Sequence, residues 1–119
     1  MTSYDFLIPA KVYFGAGRAG EVGAIAASGA AARRGSAPGC KAALMCSANE
    51  WVAPAARMLT RSLEDAGIEV TARISGLEPN PAESECRNAL AVYREGRADV
   101  LVVAGGGSYL DAAKWLARE

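Results

Sequence analysis

The sequence feature that most constrains the fold is an apolar run followed at once by three glycines and a helix-forming segment. The run is Val100–Ala104, the glycines are Gly105, Gly106 and Gly107, and the segment opens at Ser108. Consecutive apolar residues of this kind are typical of a strand buried on both faces, as in a parallel sheet covered by helices. Because glycine has no Cβ, the loop can bend tightly and another group can approach its backbone closely. The pattern predicts a strand, a loop and a helix within an α/β fold.

Ser108 and Asp111 have the spacing of a capping box at the start of that helix. In this motif the Ser108 hydroxyl accepts a bond from the Asp111 N–H, and the Asp111 carboxylate accepts one from the Ser108 N–H. A helix that starts after a glycine loop points free N–H groups and the positive end of its dipole at an anion, most often a phosphate. A tight turn that binds nothing has the same pattern, so the residues alone leave both interpretations open.

The middle of the chain alternates between strand and helix patterns. We expect strands at Lys41–Cys46 and from Ile68 to Ile74, and helices at about Ala53 to Ala66 and Ala82 to Glu95. Short links between alternating elements favour a parallel sheet with helices on both faces. The predicted fold is therefore α/β, with a Rossmann-like sheet.

The first 39 residues are predicted to add a hairpin and a short helix. Tyr4 to Ile8 and Lys11 to Phe14 are rich in aromatic and branched residues, which predicts an N-terminal β-hairpin. A helix is expected from Arg18 to about Ser28, ending near Gly29. A loop is expected from Ala30 to Gly39.

Three polar loops follow the three predicted parallel strands. They are Ser47 to Asn49, Pro79 to Pro81 and Gly105 to Ser108. Ligands of such sheets bind beyond the carboxyl ends of the strands, so we expect these loops to meet at one edge. In the second loop the two prolines restrict the backbone on both sides of Asn80.

Composition excludes several classes of partner and site. Thirteen basic residues balance thirteen acidic ones, which gives no reason to expect nucleic acid as a partner. We also expect no membrane association and a cytoplasmic location, since the chain has no apolar run near the ~20 residues of a membrane span and no signal peptide pattern. Histidine is absent and no CxxC pair occurs, so no metal site is expected in these residues.

The glycine loop and the helix after it resemble the signature of the iron-containing (group III) alcohol dehydrogenases. The matching residues are Gly105–Ser108, Asp111 and Lys114. Further matches occur in the family's order, so the resemblance covers the whole chain. They are Phe6 with Pro9, Val12 to Phe14 with Gly15 and Gly17, Asp65 to Gly67, and Pro79 to Pro81.

The resemblance implies that residues 1–119 are the N-terminal dinucleotide-binding domain of a two-domain NAD(P)-dependent dehydrogenase. The second domain, helical and holding a divalent metal that is usually iron, would be absent from this chain. The activity implied is hydride transfer between an alcohol or aldehyde substrate and the nicotinamide, by a homo-oligomer. The last predicted helix reaches Glu119 without a stop signal, and we expect a fragment that is inactive alone.

The resemblance also implies cofactor-binding residues, and no catalytic ones. The backbone of Gly106, Gly107 and Ser108 would bind the pyrophosphate. Asn80 would touch the adenosine side of the cofactor. Asp111 would lie near the nicotinamide end, with the capping role as an equally open alternative.

Ser47 departs from the family pattern. Many members have an aspartate here, which accepts bonds from the adenosine ribose and repels a 2′-phosphate. Ser47 removes that repulsion, so we expect NADP to be tolerated or preferred over NAD. A dehydroquinate synthase-like or glycerol dehydrogenase-like enzyme remains an alternative, as does a nucleotide-binding module that does no chemistry.

Overall fold

The computed structural model describes residues 10–34 and 39–119, together with residues 3, 5 and 7. Its centre is a three-stranded parallel sheet with the order β2-β1-β3. The strands are β1 (Lys41–Cys46), β2 (Glu69–Ile74) and β3 (Val100–Ala104). Since β1 lies between the other two, Leu44 pairs with Val102 on one side and with Arg73 on the other.

In the described part of the chain, one α-helix precedes the strands, two connect them and one follows them. They are α1 (Val22–Arg34), α2 (Ala53–Asp65), α3 (Glu83–Glu95) and α4 (Gly107–Arg118). Short 3-10 turns at Arg18–Glu21 and Glu50–Val52 precede α1 and α2. None of the helices described here has the length and apolar character needed to cross a lipid bilayer.

The central strand divides the core into two layers. On one side, Leu44 packs with Leu59 and Leu63 of α2 and with Ala26 of α1. On the other side, Met45 packs against α3 and α4, where the buried residues are Ala89, Leu90, Ala112, Ala113 and Leu116. Successive strand residues point to opposite faces, so β1 contributes to both layers and is buried almost throughout. The predicted α/β architecture, with helices on both faces of a parallel sheet, is confirmed.

The boundaries of the middle elements agree with their local sequence signals. Pro54 lies in the first turn of α2, where its missing N–H leaves no hydrogen bond unmade. Gly67 ends the same helix with φ of +80°, in the left-handed region. The Ile68 N–H donates to the Leu63 carbonyl at 2.9 Å and the Gly67 N–H to the Glu64 carbonyl at 2.9 Å. This is a Schellman motif, which explains why the helix stops at the predicted position.

Two sequence expectations about the first and last strands are corrected. Residues 11–14 form no strand, so the second half of the predicted N-terminal hairpin is wrong; the first half, Tyr4 to Ile8, lies largely outside the described residues. β3 is only half-buried, apart from Val102, because it lies at the edge of the described sheet and has a neighbour on one side only. The apolar run predicted a parallel strand correctly but overestimated its burial.

α1 is longer than predicted. It continues past Gly29 to Arg34, so the first five residues of the loop expected from Ala30 to Gly39 are helical, and residues 35–38 lie outside the described part of the chain. Gly29 has ordinary helical geometry, and a Cβ built there would meet no atom within 4 Å among the described residues. The alanines around it favour helix strongly enough to offset the roughly 1 kcal/mol cost of an interior glycine.

The crossing of α1 and α2 depends on a glycine and a serine. The Ser62 hydroxyl accepts a bond from the Gly23 N–H at 2.9 Å and donates one to the Gly20 carbonyl at 2.7 Å. A Cβ on Gly23 would lie 1.9 Å from the Ser62 carbonyl oxygen. Such a distance is impossible, so the two helices can approach this closely only with glycine at position 23.

The start of α3 is held by a carboxylate. Ala82 has no oxygen in its side chain and cannot cap the helix, but Glu85 accepts a bond from the Ala82 N–H at 2.8 Å. The same carboxylate accepts the Glu78 N–H at 3.1 Å. These two bonds, the Ala82 bond first, lower the pKa of Glu85. Glu85 thereby fixes both ends of the segment that contains Pro79, Asn80 and Pro81.

We predict that Gly23→Ala destabilises the protein by about 1–3 kcal/mol, because the helices must separate to admit the methyl group. Gly29→Ala is the matched control in the same helix and should be neutral or stabilising by up to about 1 kcal/mol. The free energy of unfolding in urea measures both. Equal effects of the two substitutions would contradict the close crossing of α1 and α2.

We predict that Glu85→Gln destabilises the protein at pH 7 more than at pH 3. A carboxylate whose pKa is lowered by folding stabilises the native state above its pKa in the unfolded chain, about 4.3 for glutamate. That contribution is lost as the pH falls through the lower pKa of the folded state. The measurement is the difference in unfolding free energy between the two proteins across this pH range. A difference that does not change with pH would show that the two backbone bonds do not depend on the charge.

Candidate functional site

The sheet topology creates a crevice between the carboxyl ends of β1 and β3. The connection after β1 runs through α2 on one face, whereas the chain leaving β3 enters α4 on the opposite face. Adjacent parallel strands whose connections diverge in this way leave an opening at their carboxyl ends, and ligands of open α/β sheets bind there. Ser47 follows one of these strands and Gly105 follows the other.

A backbone hydrogen bond joins the two loops that border the crevice. The Ser47 N–H donates to the Ala104 carbonyl at 3.2 Å, which extends the pairing of β1 and β3 by one residue. The Ser47 hydroxyl oxygen accepts a bond from the Asn49 N–H at 3.3 Å, so its own hydrogen can be donated elsewhere. Ser47 is therefore fixed beside the glycine loop with a hydroxyl donor.

The three glycines differ in what a side chain at their position would contact. A Cβ on Gly105 would lie 2.9 Å from the Cβ and 3.0 Å from the Cγ of Tyr109, which must therefore pack against a residue without a side chain. A Cβ built on Gly106 or Gly107 would meet no atom of the described residues within 4 Å. The φ of Gly106, −82°, suits any residue. Neither packing nor backbone geometry requires glycine at these two positions, whereas close approach of a ligand to their backbone would.

The first turn of α4 is open to an anion. Gly106 is the residue before the helix, no side chain caps it, and the first turn contains no acidic residue. The first N–H groups of a helix have no partner within it and carry the positive end of the dipole. The predicted capping box of Ser108 and Asp111 is wrong, because α4 begins one residue earlier, at Gly107.

Instead of capping its own helix, Ser108 binds a neighbouring loop. Its hydroxyl oxygen accepts a bond from the Asn80 N–H at 3.1 Å. Tyr109, which is 7% exposed, acts in the same way, since its hydroxyl oxygen accepts the Leu77 N–H at 3.0 Å. The first turn of α4 therefore positions the chain from Leu77 to Asn80. Asn80 itself has φ of +50° and precedes a proline, a combination that costs energy and is typical of functional sites.

Two grooves open on either side of Ser108. The first has a volume of about 490 Å³ and is lined by Ser47, Asn49, Trp51, Leu77, Gly106 and Gly107, among others. The second, of about 500 Å³, runs between α3 and α4 and is lined by Asn80, Cys86, Asp111 and Trp115, among others. Ser108 lines both grooves. A ligand bound at the start of α4 could extend into each of them.

The structure separates the six residues predicted from the sequence into two groups. Ser47, Gly106 and Gly107 line the first groove, whereas Asn80 and Asp111 line the second. Asp111 is exposed, and its carboxylate lies 3.9 Å from the Lys114 ammonium one turn later. Ser108 joins the two groups. The topology thus brings the three predicted loops together, but it places Asn80 beside Asp111 rather than beside Ser47.

Sequence reasoning missed two residues of this site. Tyr109 fixes both the glycine bend and the Leu77 loop, and its position in the buried stripe of α4, with Ala112, Ala113 and Leu116, could have indicated an inward ring. Trp51 lines the first groove while 77% exposed. A tryptophan in a short polar loop after a central strand is the available signal, since large aromatic residues are usually more buried.

The Cys46 side chain lies at the end of β1 and is buried. Burial raises the pKa of the Cys46 thiol, an effect that the nearby charge of Arg73 and a backbone bond with Ala104 partly offset. This thiol is therefore protonated at neutral pH and packs as a small apolar group. Within the described ranges, no three His, Cys, Asp or Glu side chains lie close enough together to hold a metal ion.

Comparison with known proteins shows which family the chain resembles. The sequence model of the iron-containing alcohol dehydrogenases matches residues 9–119. A 1,3-propanediol dehydrogenase of Klebsiella pneumoniae is 48% identical over 52 residues, which are 44% of this chain and 13% of that protein. An NADP-dependent alcohol dehydrogenase 3 of Entamoeba histolytica is 38% identical over 50 residues, which are 42% of this chain and 13% of that protein.

Solved structures share the fold over nearly the whole chain. The NADH-dependent butanol dehydrogenase A of Thermotoga maritima superposes with a TM-score of 0.81 at 25% identity, covering 98% of this chain and 27% of that one. The chain thus spans about a quarter of the length of that enzyme. With the family's sequence model matched from residue 9 to the last residue, the chain belongs to the iron-containing alcohol dehydrogenase family.

Proposed function

We propose that this chain binds NAD(P) across the crevice between β1 and β3, with the diphosphate at the start of α4. The observation that carries the proposal is the open backbone of Gly106 and Gly107 beside an uncapped helix N-terminus. A Cβ at either glycine would project into space that no described residue fills. The residues present therefore fit a diphosphate, which needs N–H donors and close backbone approach.

In this proposal the two nucleosides of the cofactor bind in separate grooves. The N–H groups of Gly106, Gly107 and Ser108 would donate to diphosphate oxygens. The adenosine would occupy the first groove, where the Ser47 hydroxyl can donate to the ribose or to its 2′-phosphate. The nicotinamide half would extend toward Asp111. Asn80 remains a predicted cofactor residue, and its position favours contact on the Asp111 side of the diphosphate.

The reaction proposed for the whole enzyme is hydride transfer between an alcohol and an aldehyde. When bound, the nicotinamide would supply the hydride acceptor or donor, and a divalent metal, iron by family, would supply a Lewis acid for the substrate oxygen. The part played by residues 1–119 is to bind and orient the dinucleotide as its N-terminal domain. The names of the propanediol and butanol dehydrogenases support a small alcohol or aldehyde as substrate.

The cytoplasmic location is the one expected from the sequence, whereas the homo-oligomer and its N-terminal interface are proposed by analogy with the family. We propose a cytoplasmic homo-oligomer in which residues 4–14 lie near the subunit interface. Exposed apolar side chains in the described part of this segment, Leu7, Val12 and Phe14, support a contact there.

Substitution of the three glycines should separate folding from cofactor binding. Gly106→Ala and Gly107→Ala should weaken NADPH binding tenfold or more, on the order of 1.4 kcal/mol or above, while leaving the free energy of unfolding within about 1 kcal/mol. Gly105→Ala should instead destabilise the protein by about 1–3 kcal/mol, because it clashes with Tyr109. Fluorescence titration with NADPH and urea unfolding measure the two properties. Normal NADPH affinity in both Gly106→Ala and Gly107→Ala would refute the diphosphate site.

A charge at position 47 should change the preference between the two cofactors. We expect the wild-type protein to bind NADPH at least as tightly as NADH. Ser47→Asp should weaken NADPH binding about tenfold relative to NADH, because a carboxylate repels the 2′-phosphate. Asparagine has the shape of aspartate without its charge, so Ser47→Asn should keep the wild-type ratio of NADPH affinity to NADH affinity. A strong preference for NADH in the wild type, unchanged in Ser47→Asp, would contradict the proposed role of Ser47.

A further inference from the structure

Trp51 is held on a rigid turn at the border of the first groove. It lies in the 3-10 turn Glu50–Val52, which the Val52 N–H closes by donating to the Asn49 carbonyl at 2.9 Å. Val52 is only 4% exposed and packs in the core between the sheet and α2. Because the side chain of Val52 is buried in the core, the neighbouring side chain of Trp51 lies on the other side of the turn, and its indole is at the surface. The backbone that carries the indole is thus fixed while the ring stays accessible.

The same groove contains the residues assigned to the diphosphate and the ribose. Gly106 and Gly107 line it on the β3 side, and Ser47 lines it on the β1 side. Trp51 follows Ser47 by four residues and lines the same groove. The groove therefore holds a helix start, a serine hydroxyl and an indole. An adenine nucleotide presents the matching set of phosphate, ribose and base.

We propose that the indole of Trp51 is the stacking surface for the adenine ring of the cofactor. This inference rests on the proposed function, since it takes the diphosphate at α4 as given. A purine is flat and uncharged, and an aromatic face can stack against its whole area. Leu77 and Pro79 add apolar surface to the lining of the groove.

Exposure of Trp51 makes structural packing a poor explanation for it. With 77% of its surface exposed, the side chain contributes little to the core of the described structure. Its removal should therefore cost little stability, while a bound base would gain the contact. Stacking of an adenine ring requires no charged side chain. Among the described residues that line the groove, Glu78 is the only charged one.

The experiment compares ligands that contain adenine with one that lacks it. Calorimetry would measure the affinities of the intact protein for 5′-AMP, NADPH and reduced nicotinamide mononucleotide. Trp51→Ala should weaken AMP and NADPH binding about tenfold, within the range measured for stacking of a base on an aromatic side chain, and leave mononucleotide binding unchanged. Trp51→Phe should recover most of the loss. Met58→Ala removes an exposed apolar side chain outside the groove and should have no effect.

A second measurement observes the ring directly. The chain has two tryptophans, so Trp115→Phe leaves Trp51 as the only indole. AMP should then quench the fluorescence of Trp51 or shift its emission maximum. Reduced nicotinamide mononucleotide lacks adenine and should not shift the emission maximum.

The outcomes distinguish the inference from the function on which it rests. Unchanged AMP affinity in a folded Trp51→Ala protein, or equal losses for AMP and the mononucleotide, would overturn the stacking role while NADPH binding persisted. A wild-type protein that bound none of the three ligands would overturn the proposed function itself.

Discussion

The candidate site depends on the contact between Gly105 and the ring of Tyr109. The ring can lie against the bend after β3 only because position 105 has no side chain, with 2.9 Å between Tyr109 and the place of a Cβ. From there the Tyr109 hydroxyl reaches the Leu77 N–H, and the adjacent Ser108 hydroxyl reaches the Asn80 N–H. One residue without a Cβ thus lets one helical turn set the position of a second loop. Rotation of α4 would move the open glycines and that loop together.

The sheet supplies the second condition, which is the position of β1 between two neighbours. Because α2 and α4 cover opposite faces, the crevice opens at the boundary between the first and third strands. The bond from the Ser47 N–H to the Ala104 carbonyl keeps the two sides of that crevice in register. A small ligand would need only one loop. A dinucleotide needs several contacts along a line, and we propose that the grooves on both sides of Ser108 supply them.

Sequence patterns predicted the elements well where the signals are local. The strands Lys41–Cys46 and Val100–Ala104 and the end of α2 at Gly67 follow from apolar runs and a glycine in the left-handed region. Patterns failed where the decisive partner is distant in sequence. Ser108 has the sequence spacing of a capping motif, yet its hydroxyl accepts a bond from the N–H of Asn80, 28 residues away. The burial of β3 depends on how many neighbours the strand has, which its own residues do not specify.

The central claim is that the amides at the start of α4 bind the diphosphate of a nicotinamide dinucleotide. The most direct measurement is the shift of backbone amide resonances as NADPH is added to the protein. The account predicts that the largest shifts occur at Gly106, Gly107 and Ser108, with ADP reproducing them. Shifts concentrated instead in the separate arginine-lined groove of Arg57, Arg61 and Arg73, with the glycine amides unmoved, would contradict it.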